Sequence, residues 1–189
     1  MSLTVDPRVE RTRAVVLEAA AELLATDGFE RVTIDAIAER SGVARSTIYR
    51  NWPDRPHLLI EAFETLCEVI DPPDSGDLSA DLRGVGEVLA RGLSSEAWGR
   101  SLPSLIGAAS QDDELRAAQL AFNAQRRATV EAVVVRAADR GEVDPDADIE
   151  LAILRFASSF FFTRLFTDLE LDDDFINRVV AATVAELTR

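Results

Sequence analysis

Three small features between Ala38 and Ile48 constrain this chain more than anything else in its sequence. Ala38 is small enough to let two helices approach, Gly42 four residues later suits the left-handed residue that closes a helix, and Ile48 ten residues after the alanine fills the wedge between the two segments. The helical stretches on either side are separated by about three residues, which is the spacing of a helix-turn-helix. Thr33 caps the first stretch, whose Ile34, Ile37 and Ala38 face inward and which ends near Ser41. The second is "GVARSTIYRNW", residues 42–52, in which Ile48 and Trp52 lie four apart and point to the core together with Val43.

The same periodicity predicts helices along the whole chain. Asp6 and Pro7 open a first helix that carries Leu17, Ala20, Ala21 and Leu24 on one face and stops at Gly28. Asp54 caps a fourth, with Pro56 in its first turn, running through Leu59, Phe63, Leu66 and Ile70. "DPPDSGD", residues 71–77, interrupts the pattern. Further helices are expected near 78–94, 97–109, 112–140 with Gly141 as terminator, 145–167 opened by Asp144 and Pro145, and 173–188. No alternating strand pattern and no internal repeat is found, so the fold class is all-α, about nine helices. The domains are expected at 1–55, a three-helix unit, and 56–189, a longer helical unit.

The residue inventory argues against an enzyme. His57 is the only histidine and reads as a surface or packing residue, no Cys/His cluster has metal-ligand spacing, and no glycine-rich loop follows a strand. All 20 basic residues are arginine, which removes lysine Schiff-base chemistry and a phosphate-loop lysine together. Cys67, the only cysteine, cannot form an intrachain disulfide and reads as a small core residue. The acidic runs "DDE" at 112–114 and "DDD" at 172–174 precede amphipathic stretches, where they stabilise helix N-termini through the dipole. No cofactor or metal is implied. No apolar stretch approaches the roughly 20 residues of a membrane span, and the N-terminus lacks a signal pattern. The expectation is a soluble, cytoplasmic protein.

With Ile48 and Trp52 turned inward, Arg45, Ser46, Tyr49 and Arg50 are left on the opposite face of the third helix. That set of donors suits base edges and phosphates in a major groove. A solvated helix face explains the arginines but not a tyrosine beside them.

"GFERVTIDAIAERSGVARSTIYRNWPDRPHLL", residues 28–59, resembles the DNA-binding domain of the TetR family of bacterial transcriptional regulators, and the match extends over roughly residues 8–65. The remainder is similar in architecture to the C-terminal domains of actinobacterial members. The resemblance implies a homodimer that represses by occupying a palindromic operator in double-stranded DNA and leaves it when a small molecule binds. It also implies DNA contacts from Arg45, Ser46, Tyr49, Arg50 and Asn51, phosphate contacts from Thr47 and from Thr33 at the start of the second helix, and a role for Arg55, where the family usually has lysine. Ala44 departs from the usual serine or threonine cap at about 1 kcal/mol of capping, and Trp52 replaces a phenylalanine. A helical dimer acting through protein partners, or without a small-molecule switch, is the alternative reading.

The formal net charge is −14, yet it is unevenly divided. Residues 1–60 hold eight arginines against nine acids, while residues 61–189 hold twelve against twenty-five. Arg45, Arg50 and Arg55 cluster by one helix face, and Arg8, Arg11 and Arg13 lie where a minor groove or flanking phosphate is within reach. Local potential governs docking, because charges beyond about 10 Å are screened at ordinary salt. In the C-terminal region, "LRFASSFFFTRLF" (154–166) and "FINRVVAATVAEL" (175–187) carry more apolar circumference than one chain covers, which predicts a four-helix dimer contact, with the aromatic run lining a ligand cavity as the alternative. The expected interface residues are Phe160, Phe161, Phe175, Val179, Val180 and Val184. Trp98, Leu102, Leu105, Phe122, Arg126 and Phe156 are the candidates for a pocket that takes a small hydrophobic or cationic effector, the alternative being that these side chains simply pack as core.

Overall fold

The computed structural model describes residues 7–66 and 71–188, and all regular structure among them is helical. Asp6, Cys67 and Ile70, which entered the sequence expectations, lie outside the described residues. The helices are α1 (Pro7–Asp27), α2 (Ile34–Ser41), α3 (Arg45–Asn51), α4 (Arg55–Thr65), α5 (Leu78–Ser94), α6 (Glu96–Ala109), α7 (Asp113–Asp139), α8 (Ile149–Phe166) and α9 (Asp173–Leu187). Two compact units result, and they follow packing rather than chain order. One comprises Met1–Cys67 and Glu96–Phe122; the other comprises Glu68–Ser95 and Asn123–Arg189.

In the first unit α1 is the hub, packing against α2, α4 and α6. It can do so because its inner face alternates small and large residues: Ala19, Ala20 and Ala21 admit close neighbours, while Val16, Leu23 and Leu24 fill the space between. Phe63 of α4 is fully buried, with ring centroids 5.8 Å from Phe29, 6.0 Å from Trp98 and 5.7 Å from Phe122. The pairs with Phe29 and Phe122 meet edge-on, an arrangement that contributes about 0.5–1.5 kcal/mol each beyond the area buried. Ser101 donates its hydroxyl to the carbonyl of Leu24, and Ser104 accepts from the Phe29 amide at 3.3 Å. α4 and α6 therefore belong with the N-terminal helices, although the sequence assigned everything after residue 55 to the second domain.

In the second unit α5 packs on both α8 and α9, and α8 on α9. Gly86 permits the close approach: a Cβ there would stand 3.1 Å from the Phe160 ring and 3.2 Å from Ile176. The segment 71–77 is pinned rather than loose. Arg136 of α7 donates to the carbonyls of Pro72 and Pro73, and the buried Asp81 accepts from the Ser75 amide at 2.8 Å.

The carboxylates ahead of α7 and α9 act as caps, Asp112 accepting from Leu115 and Asp172 from Phe175. α8 begins four residues later than expected. Asp144 folds its carboxylate onto the Asp146 amide and its carbonyl onto Ala147, closing a turn in place of a first helical turn, and Asp148 then caps through Leu151 at 3.0 Å. Short polar side chains that bond to the following backbone compete with helix in this way.

Candidate nucleic-acid interface

The helix-turn-helix forms as its sequence requires. The Thr33 hydroxyl accepts from the Ala36 amide at 3.1 Å and starts α2. Gly42 ends it at φ 69°, with nothing within 4 Å of where a Cβ would be, so glycine is needed there for backbone conformation rather than for room. Ala44 makes no side-chain cap to α3. Ile48 is fully buried and Trp52 is 3% exposed, which anchors α3 against its own domain. Trp52 does this from outside the helix, since α3 ends at Asn51 and the backbone of Trp52 is extended.

That anchoring leaves Arg45, Ser46, Tyr49 and Arg50 exposed, as the periodicity predicts, and Tyr49 is 56% exposed. Arg45 ion-pairs through Nε with Asp35 in the first turn of α2 at 2.8 Å. Arg50 donates to the half-buried Thr47 hydroxyl at 3.2 Å. Thr47 can still donate its own proton outward, because a hydroxyl both accepts and donates.

Three residues expected at the DNA are turned into the domain instead. Arg55 donates from Nε to the Val32 carbonyl at 2.7 Å and from Nη2 to the Phe29 carbonyl, closing the loop between α1 and α2. Its pKa is drawn below the usual arginine value by burial, an effect that Asp112 opposes. Asn51 spends its amide on the Thr47 carbonyl at 2.8 Å. Arg13 stacks over the Trp52 ring at 4.6 Å and donates to the Asn51 carbonyl and to Glu61. Glu61 also accepts the Trp52 indole N–H at 2.6 Å, which binds α1, the end of α3 and α4 into one cluster. Neither Glu61 nor Asp35 stands out in the sequence: each lies on a different helix from its partner, and no spacing rule connects them.

The residues expected elsewhere also separate. Trp98, Leu102, Leu105 and Phe122 are buried in the first unit, where Trp98 and Phe122 pack on Phe63. Phe156 belongs to the second unit and is fully buried against Phe160, with centroids 5.3 Å apart; Arg126 is half-buried. Of the six interface candidates, Phe160, Phe175 and Val180 are covered within the chain itself, Phe160 and Phe175 edge to face at 5.4 Å. Phe161, Val179 and Val184 are half-buried. The large apolar side chains left exposed on α8 are Leu151, Leu154, Phe162 and Phe166, with Phe162 and Phe166 stacked at 5.4 Å.

Residues 16–62, which include the whole helix-turn-helix, match the model of the bacterial regulatory proteins of the tetR family, and residues 72–183 match that of the tetracyclin repressor-like C-terminal domain. The chain belongs to the TetR family. Its TetR relatives include the uncharacterized HTH-type transcriptional regulator YdeS of Bacillus subtilis (strain 168), 32% identical over 92% of this chain and 88% of that one. The DNA-binding transcriptional repressor TetR of Mycobacteroides abscessus is 31% identical over 96% of each. Among solved structures, that of the TetR family transcription regulator SCO0332 is 30% identical, with a TM-score of 0.75 over 95% of this chain and all of the other. As a member of the TetR family the protein is a DNA-binding transcriptional regulator and not an enzyme. No helix among the described residues is long and apolar enough to cross a membrane.

Proposed function

We propose that this chain is a homodimeric repressor that reads a palindromic operator with α3 and leaves it when a small lipophilic or cationic molecule binds. One observation carries the reading: Arg45, Ser46, Tyr49 and Arg50 share the outer face of a helix whose inner face is held by fully buried Ile48. A large aromatic side chain kept in water beside two arginines has no packing role and suits stacking or methyl contact in a groove. Thr33 and the hydroxyl of Thr47 flank that face and suit phosphates. The name of the Mycobacteroides relative, a DNA-binding repressor, supports repression.

Dimerisation draws support from α8, where Leu154, Phe162 and Phe166 are 57%, 60% and 73% exposed and fall on one face at helical spacing. Phe161 on the same helix and Val179 and Val184 on α9 are only half-buried. The effector class draws support from charge: residues 61–189 hold twelve arginines against twenty-five acids, which repels anionic ligands.

Selection from a pool of short randomised duplexes tests the reading. The expected consensus is two inverted half-sites whose centres lie about 34–36 Å apart, or a multiple of that, bound by an even number of chains in sedimentation. A single unrepeated site bound by one chain overturns it. Release of the selected duplex by cationic or neutral lipophilic compounds, and not by anionic metabolites, tests the effector class.

A further inference from the structure

We propose that Asp35 is a positioning residue for base recognition: its carboxylate holds Arg45 by the inner nitrogen of the guanidinium, so that the two terminal nitrogens are presented end-on to a guanine. This inference rests on the reading of α3 as the element that meets DNA.

Arg45 is an odd residue to begin α3. It is the first residue of the helix, where the dipole's positive end disfavours a cation, and the residue before it, Ala44, supplies no side-chain cap. Two local rules are thus broken at one point. Such breaks concentrate where function requires a particular side chain. Asp35 offsets the first of them, with Oδ1 2.8 Å from Arg45 Nε.

An acid in the first turn of α2 serves that helix's dipole whatever else it touches. What distinguishes Asp35 is the partner it has taken, which lies on the next helix, ten positions along the chain. The pair contributes little to folding, because both side chains are more than 60% exposed and exposed pairs are weak. Its effect is on the freedom of Arg45. An unrestrained arginine loses several rotatable bonds on docking, whereas one tethered at Nε has already given up some of that freedom. Recognition of guanine O6 and N7 requires two parallel donors in a fixed fork. Nε is the guanidinium nitrogen nearest the chain, so pairing there leaves Nη1 and Nη2 as the fork. The carboxylate also adds negative charge beside a surface that meets phosphates, which disfavours binding wherever no guanine repays the approach. Asp35 therefore raises discrimination while lowering general affinity.

The test uses full-length protein and selection from a randomised duplex pool, with R45A, D35N and D35E compared to the parent and thermal unfolding recorded for each. R45A is expected to erase a guanine preference at one position of each half-site. D35N is expected to weaken the same preference about two- to fivefold while binding unselected duplex more tightly, and D35E, which keeps the carboxylate, to retain it. Full guanine preference in D35N, or a folded D35E that loses it as completely as D35N, overturns the proposal and leaves the reading of α3 intact. An unchanged consensus in R45A overturns the reading of Arg45 itself.

Discussion

The indole N–H of Trp52 donates to Oε2 of Glu61 at 2.6 Å, and Arg13 takes the other oxygen of the same carboxylate. Trp52 is the residue that caps α3, and Glu61 lies on α4, so the second helix of the helix-turn-helix is tied at its C-terminal end to a helix of the supporting core. Glu61→Ala leaves the buried indole N–H unpaired and the Arg13 guanidinium without its anion. The expected cost is about 1–3 kcal/mol, or roughly 2–4 °C of Tm per kcal/mol for a protein of this size. Affinity for selected duplex should fall with the base preferences unchanged, since Glu61 is placed to hold α3 rather than to read. A changed consensus would put Glu61 at the DNA instead.

Arg50 and Arg55 separate reading from support. Arg50 is exposed on α3, and R50A should lose about 1–3 kcal/mol of discrimination at one base step while Tm stays within a degree or two. Arg55 bonds the Val32 and Phe29 carbonyls, so R55A should lower Tm through two unpaired carbonyls and leave the consensus as it was. Binding to selected and scrambled duplex at two salt concentrations, beside thermal unfolding, distinguishes them. A reversed pattern would mean the two arginines have exchanged roles on the DNA.

Phe162 and Val180 make a similar contrast in the second unit. Phe162 is 60% exposed on the apolar face of α8, and F162E should give a folded monomer in sedimentation. Val180 is 4% exposed within its own chain, so V180E buries a charge in the core and should unfold the unit rather than merely separate one copy from another. A dimeric F162E of unchanged affinity would place the interface elsewhere.

Asp54 caps α4 and supplies the dependence on pH. Partial burial raises its pKa, but the His57 amide and the His57 ring, 2.7 Å away, together outweigh that and hold the carboxyl below its ordinary value. A depressed folded pKa stabilises above the unfolded value, about 3.9, and that stabilisation is lost as pH falls through the folded value. Asparagine is also a good cap, so D54N isolates the charge. The Tm advantage of the parent over D54N should be present above about pH 4 and shrink below it. A gap that is constant over that range would show that the charge contributes nothing.

Local chemistry determined the elements of this protein. Thr33 and the capping carboxylates Asp54, Asp112 and Asp172 act through bonds to residues within a few positions, Gly42 acts through its own backbone and Ile48 sets the inward side of α3, so the helices, the turn between α2 and α3 and the outward face of α3 were legible in the sequence. The one misplaced start, at α8, was a contest between two local patterns, and Asp144 took the turn. Tertiary structure alone decided which arginines stay exposed and which apolar faces are spent. Arg13 and Arg55 look as available as Arg45 and Arg50 in the sequence, but the carbonyls of Phe29, Val32 and Asn51 and the carboxylate of Glu61 claim them from other segments. Phe160 and Phe162 are two residues apart on one helix, and only the arrival of Gly86 and Phe175 buries the first and leaves the second in water. Helical period tells which residues share a face; which face finds a partner depends on chain segments far away in sequence, and no local spacing encodes that.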